Sequence, residues 1–184
     1  VVALGRFYWL AALLGVIWAV ELVNLVTGYV LNGWLGLLPR TIGGLDGVLF
    51  MPFLHGSFSH VAANTFPLIV LGSLLAITAQ KVVLMASVII IVLGGLGVWV
   101  FGATAIHVGA SGLIFGWFGF LVARGAVEKR AIPLLVAAGV TLFYGAMIWG
   151  ILPGQPGISW ESHFFGCAAG IFAAFALRNS AHSS

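Results

Sequence analysis

The chain has 184 residues, of which 62% are hydrophobic and 6% charged, with a mean hydropathy of +1.20. Seven Lys/Arg and four Asp/Glu cannot coat a water-soluble surface, where about a quarter of residues are charged, so a soluble enzyme, a disordered chain and a coiled coil are excluded. The net charge of +3 is spread along the chain and forms no basic patch, so no nucleic-acid partner is expected; the single Cys167 excludes an intrachain disulfide.

Six apolar stretches follow in chain order, at about 7–27, 58–79, 82–101, 103–123, 131–151 and 160–177. Each is near the ~20 residues that cross a bilayer core. The first carries Glu21 and Asn24 where a signal peptide would be cleaved, and is read as a span whose polar pair meets headgroups or caps a helix. A Gly-rich connection, 28–56, separates the first two stretches. Arg6, Lys81, Arg124, Lys129, Arg130 and Arg178 all fall on one side if the chain crosses six times, and only Arg40 falls on the other. Cations collect on the cytoplasmic side. The expected fold is therefore an all-α polytopic membrane protein with six transmembrane helices, both termini inside and the 28–56 loop outside. It forms one domain, 1–178, followed by a polar tail, 179–184, that carries His182. No internal repeat is evident, which argues against an inverted-repeat transporter.

Polar side chains in a span are costly and point to function. They collect near the outer ends of the second, fourth and sixth stretches: His55, Ser57, Ser59, His60 and Asn64; Ser111; Ser162 and His163. At 1.5 Å per residue, counted from the inner cation of each span, Ser111, His163 and Asn64 lie about 20, 22 and 25 Å up, at one level. Gly112, Gly116 and Gly119 share one helical face, and His163, Gly166 and Gly170 share another. Small residues let membrane helices approach closely. The same spacing serves plain packing, but here a hydroxyl and an imidazole sit at matching depth beside it.

Three intramembrane hydrolytic chemistries can be tested by counting. No histidine is followed by Glu, so a zinc site of the H-E-x-x-H kind is absent. Asp46 is the one aspartate, so an aspartyl dyad is impossible within a chain. A serine nucleophile needs a base and oxyanion donors; Ser111 and His163 supply the first pair, and His60 and Asn64, one turn apart, supply donors. Glu161, two positions from His163, points elsewhere on a helix. The reading is a Ser–His dyad with no metal and no cofactor.

These residues carry a resemblance. Gly109-Ala110-Ser111-Gly112-Leu113-Ile114-Phe115-Gly116 resembles the GASGxxxG signature of rhomboid intramembrane serine proteases. His163-Phe164-Phe165-Gly166-Cys167-Ala168-Ala169-Gly170 resembles their HxxGxxxG helix, and the run from His55 to Asn64 their HGxxxH…N segment. The resemblance implies Ser111 as nucleophile and His163 as general base and later acid. It implies an oxyanion hole from His60, Asn64 and the Ser111 backbone N–H, and Phe115 packed on the His163 ring. His55 is expected as a structural hydrogen-bonder. The loop 28–56 would lie sideways in the outer leaflet, with the fifth span as a gate. Ser57, Ser59, His60, Asn64 and Ser162 would line a wet pocket. The family's Trp-Arg pair in the first outer loop and its Glu late in span two are missing; Ser162 stands where Ala is common, and His107 before the GASG run is unusual.

The expected function is an intramembrane serine endopeptidase that cleaves single-span membrane proteins. Its partners would be transmembrane-helix substrates and lipids, and the protein would act as a monomer in the plasma membrane with its site open to the extracytoplasmic side. An inactive rhomboid-like protein that binds transmembrane helices would lack the Ser or the His. A small transporter would need a polar route through the inner halves of the spans, which are apolar.

Overall fold

The computed structural model describes residues 2–155 and 157–178; the expected polar tail, 179–184, lies outside the described residues. Six long helices form the body: α1 (Tyr8–Val26), α2 (Phe58–Thr78), α3 (Val83–Phe101), α4 (Ser111–Glu128), α5 (Ala131–Tyr144) and α6 (Trp160–Ala176). A 3-10 segment, Gly145–Ile151, continues α5. Tyr8–Val26, Phe58–Thr78, Val83–Phe101 and Ala131–Ile151 are long and apolar enough to cross a membrane. Among the described residues the β pairing is a single bridge, Leu37 to His107.

α4 is the central helix. Trp117, Phe120 and Leu121 on it are fully buried, and its glycine face meets α6 backbone to backbone. A Cβ at Gly166 would collide with the carbonyl oxygen of Gly112, and one at Gly170 with that of Gly116. Lipid tails are as apolar as Leu, so helices in a bilayer gain from close van der Waals approach rather than from burying apolar surface. Gly94 brings α3 against the same turn of α6, where a Cβ would lie 3.3 Å from Gly166 Cα. α5 packs more loosely: Leu135, Leu142 and Phe143 are largely exposed, and only Pro133 and Val140 are buried.

The fourth apolar stretch, expected at 103–123, is helical only from Ser111, and α4 runs on to Glu128. Residues 102–110 form a loop in which the His107 and Gly109 N–H groups bond the outer connection, at Leu37 and Met51. Arg124, expected in the inner loop, is therefore inside α4, buried and ion-paired with Glu128 one turn on. The outer connection folds back over the end of α1. This buries Glu21 and Asn24: the Tyr29 hydroxyl donates to Glu21 (3.0 Å), Asn24 Nδ2 donates to Asn32 Oδ1 (2.7 Å), and Asn24 Oδ1 accepts the Leu31 N–H (3.2 Å) in the first turn of the short helix Val30–Leu35, so that of the two roles expected for the pair Asn24 takes the helix cap. Arg40 closes the other end of the loop by donating to the carbonyls of Val100 and Gly102 at the end of α3.

Candidate active site

The segment before Ser111 is stitched to the outer connection. Leu37 and His107 exchange backbone bonds of 3.0 and 2.8 Å, Gly109 N–H donates to the Met51 carbonyl (2.9 Å), and Ala110 N–H donates to His55 Nε2 (3.4 Å). His55 is itself fully buried, and its carbonyl accepts from Asn32 Nδ2 (2.9 Å). Burial, and then the neighbouring His60, lower the His55 pKa to about 4 against a smaller opposing pull from the Phe53 carbonyl. A neutral His55 is what the Ala110 N–H needs as an acceptor. Gly109 has φ +123°, and a Cβ there would lie 2.8 Å from both Cε1 and Nε2 of His60. Glycine is required at that point on both counts, and it lets the chain pass directly beside the His60 ring. Ser111 is the first residue of α4, so its N–H belongs to the turn that has no intrahelical acceptor and carries the positive end of the helix dipole.

His60 and Asn64 stand one turn apart on α2, which Ser57 caps by accepting the His60 N–H (3.2 Å). Gly56 N–H donates to His60 Nδ1 (3.4 Å). An N–H needs an acceptor, so the neutral ring carries its proton on Nε2. Asn64 Nδ2 is buried and donates to no protein acceptor among the described residues. Such an orphan donor costs stability unless something else uses it.

His163, on α6, has the opposite tautomer. Its Nδ1 lies 2.8 Å from the Gly150 carbonyl oxygen. A carbonyl only accepts, so the proton is on Nδ1 and Nε2 presents a lone pair. The ring stacks on Phe115 with centroids 4.0 Å apart and planes at 7°. Gly150 leaves room for both: a Cβ there would sit 3.0 Å from Phe115 Cζ and 3.1 Å from His163 Nδ1.

Ser111, His163, His60 and Asn64 line one cavity of about 720 Å³. Ser57 is on its wall as well; Ser59 and Ser162 are not, and each stands behind a serine that is, Ser59 paired with Ser57 (3.0 Å) and Ser162 with Ser159 (2.8 Å). No hydrogen bond joins Ser111 Oγ to His163 among the described residues. Gly112, Gly166 and Gly170 do not line the cavity; they bring its two helices together. Glu161 also lines the cavity, but its carboxylate accepts from Ala103 N–H (3.0 Å) and Ser159 Oγ (3.4 Å) and makes no hydrogen bond to His163 among the described residues. Among the described residues no cluster of His, Cys, Asp and Glu is arranged to hold a metal ion. Chemically, the cavity gathers a hydroxyl, a ring nitrogen with a free lone pair, and N–H donors.

Two partners escaped the sequence reading. The Gly150 carbonyl is backbone and leaves no side-chain signal. His107, noted there only as unusual, lines the cavity and bonds Ser159, 52 positions away.

Comparison with known proteins agrees with this architecture. A model of the rhomboid domain matches residues 43–180. An uncharacterized protein of Mycobacterium tuberculosis is 38% identical over 170 residues, spanning 88% of this chain and 70% of the relative, and one of Mycobacterium bovis matches to the same extent. An uncharacterized protein of Mycobacterium leprae is 34% identical over 175 residues, spanning 89% of this chain and 68% of the relative. Its apolar helices make this chain a multi-pass membrane protein, and the match over residues 43–180 makes it a member of the rhomboid family.

Proposed function

We propose that the chain is an intramembrane serine endopeptidase that cleaves transmembrane segments of single-span membrane proteins. The observation that carries the reading is the opposite pairing of two Nδ1 atoms on one cavity: His163 Nδ1 meets the Gly150 carbonyl, which leaves Nε2 a lone pair, and His60 Nδ1 meets the Gly56 N–H, which leaves Nε2 the proton. A base and an oxyanion donor need those two states.

Ser111 Oγ attacks a peptide carbonyl of a locally unwound substrate helix, and His163 Nε2 takes its proton. The oxyanion forms against His60 Nε2–H, the unpartnered Asn64 amide and the Ser111 N–H. One such donor is worth on the order of 3 kcal/mol. The imidazolium then protonates the leaving amine, and a water entering the cavity, activated by the same ring, hydrolyses the acyl-enzyme. The Gly150 carbonyl fixes the tautomer, the part a carboxylate plays in a Ser–His–Asp triad.

The cation distribution supports six crossings with both termini in the cytoplasm and the cavity open to the extracytoplasmic side of the plasma membrane. α4 and α6, glycine-bearing and packed against each other, are taken as the other two crossings. Substrates are read as helices with small residues near the cut and helix-weakening residues below it.

The test is labelling by a fluorophosphonate together with cleavage of tagged single-span proteins in liposomes. Wild type is expected to label and cleave, and Ser111→Ala and His163→Ala to do neither while remaining folded. Cleavage by Ser111→Ala would overturn the assignment. A folded wild type that binds transmembrane helices yet neither labels nor cleaves would point to an inactive relative.

A further inference from the structure

His107 and Ser159 occupy equivalent places on the two halves of the site. His107 lies four residues before Ser111, and Ser159 four residues before His163. Their side chains meet across the cavity wall, Nδ1 to Oγ, at 2.7 Å. The contact is closely determined on both sides. His107 is buried, its backbone is paired with Leu37, and its Nε2–H donates to the Ala103 carbonyl (3.0 Å). That leaves Nδ1 as an acceptor for the Ser159 hydroxyl proton, nearer at 2.7 Å than Glu161 Oε2 at 3.4 Å. Ser159 in turn caps α6: its Oγ accepts the Ser162 N–H (3.2 Å), and its carbonyl accepts the His163 N–H (3.3 Å). A second bond runs parallel to the first, from Ala103 N–H to Glu161 (3.0 Å). The loop ahead of the hydroxyl and the loop ahead of the imidazole are thus tied side chain to side chain just beyond the two groups. The glycine contacts of α4 and α6 hold the other side of the pair, from Gly112, where a Cβ would lie 3.2 Å from the Ser162 carbonyl oxygen, down to Gly170.

We infer that the His107–Ser159 hydrogen bond, together with the close approach of α4 and α6, sets the separation of Ser111 and His163, so that His107 is a positioning residue of the catalytic pair. The inference rests on the serine-protease reading above. His107 touches neither reacting atom. It acts through Ser159 on the N-terminus of α6, and through the chain on the start of α4.

The experiment compares wild type with His107→Phe, His107→Asn, Ser159→Ala and the Phe/Ala double variant. It reads the rate of fluorophosphonate labelling at Ser111, kcat and KM for a liposome substrate, and the melting temperature. A misplacement of about 1 Å costs up to about a hundredfold in rate. His107→Phe and Ser159→Ala are each expected to lower both the labelling rate and kcat by roughly tenfold to a hundredfold, with KM within about twofold of wild type. His107→Asn keeps an acceptor for Ser159 and is expected to recover most of the rate, which bulk packing alone would not do. The double variant is expected to be no slower than the slower single one, as partners in one bond behave. Labelling of His107→Phe at the wild-type rate, multiplying losses in the double variant, or an effect confined to KM would overturn the inference and leave the protease reading standing. Should His107→Phe fail to fold, Ser159→Ala against His107→Asn decides. A wild type that never labels would overturn both.

Discussion

The rings of Phe115 and His163 lie face to face, centroids 4.0 Å apart and 7° from parallel, although the residues are on different helices. With the Gly150 carbonyl on Nδ1, the stack removes both remaining freedoms of the imidazole, its tilt and its rotation. Phe115→Ala leaves the hydrogen bond but frees the tilt, so the Nε2 lone pair wanders from the nucleophile. A fall in kcat on the order of tenfold or more is expected, with KM little changed, since orientation of a catalytic group is felt in the chemical step. Phe115→Tyr preserves the stacking face and is expected to stay within a few-fold of wild type. Steady-state cleavage in liposomes measures both. Equal rates for the Ala and Tyr variants would remove Phe115 from the account.

Asn64 offers a test in which activity and stability part company. Its Nδ2 is buried and unpartnered among the described residues, a state that costs free energy while no substrate is bound. In its proposed role of oxyanion donor it would contribute only when charge develops on the substrate. Asn64→Ala is expected to lower kcat by about a hundredfold with residual cleavage from the remaining donors, while the melting temperature holds or rises. A variant that loses stability and keeps its rate would make Asn64 a packing residue.

The parts of the site visible in the sequence are those whose side chains conflict with their surroundings. An alcohol and an imidazole in apolar stretches, each beside glycines at helical spacing, stand out because a bilayer penalises the polar groups and rewards the small ones. The structure gathers Ser111, His163, His60 and Asn64 on one cavity, and the glycine faces of α4 and α6 meet at backbone contact. The start of α4 was not visible. Ala103, Ala105, Ile106 and Val108 are apolar enough to read as a span, but hydropathy reports solvent preference and not where backbone bonds go, and in this stretch the His107 and Gly109 N–H groups bond Leu37 and Met51. The burial of Glu21 and Asn24 escaped for a related reason: their partners lie in the returning loop, at Tyr29 and Asn32, and nothing at those positions announces the return.

His55 makes stability depend on pH in a defined direction. Its pKa falls from 6.5 to about 4 on folding, chiefly through burial and then through the neighbouring His60. Between those values the unfolded chain binds the proton and the folded one does not, so stability rises with pH across this interval. The contribution is complete above about pH 6.5 and is lost as pH falls toward 4. The full shift corresponds to about 3 kcal/mol. Melting temperatures between pH 7 and 4 are expected to drop more steeply for wild type than for His55→Gln, which has no proton to take up there. The Gln variant also loses the ring that accepts the Ala110 N–H (3.4 Å), so it is expected to start lower at pH 7. Parallel pH profiles for the two proteins would refute the assignment of this dependence to His55.

Gly170 carries one of the backbone contacts that bring α4 and α6 together. A Cβ there would run into the Gly116 carbonyl oxygen, and the atoms it meets are all backbone. A flexible side chain can swing aside; a helix backbone cannot. Gly170→Ala is therefore expected to push α6 off α4, at a cost of roughly 2–3 kcal/mol from overpacking. His163 lies two turns up the same helix, so activity should fall with stability. Gly15 on α1 supplies the control, since a Cβ there has nothing within 4 Å. Gly15→Ala is expected to leave cleavage unchanged and to raise stability by up to about 1 kcal/mol through helix propensity alone. Thermal unfolding in detergent, paired with cleavage in liposomes, separates the two variants. If Gly170→Ala matched Gly15→Ala in both measurements, the close approach of α4 and α6 would not be what holds Ser111 and His163 to one cavity.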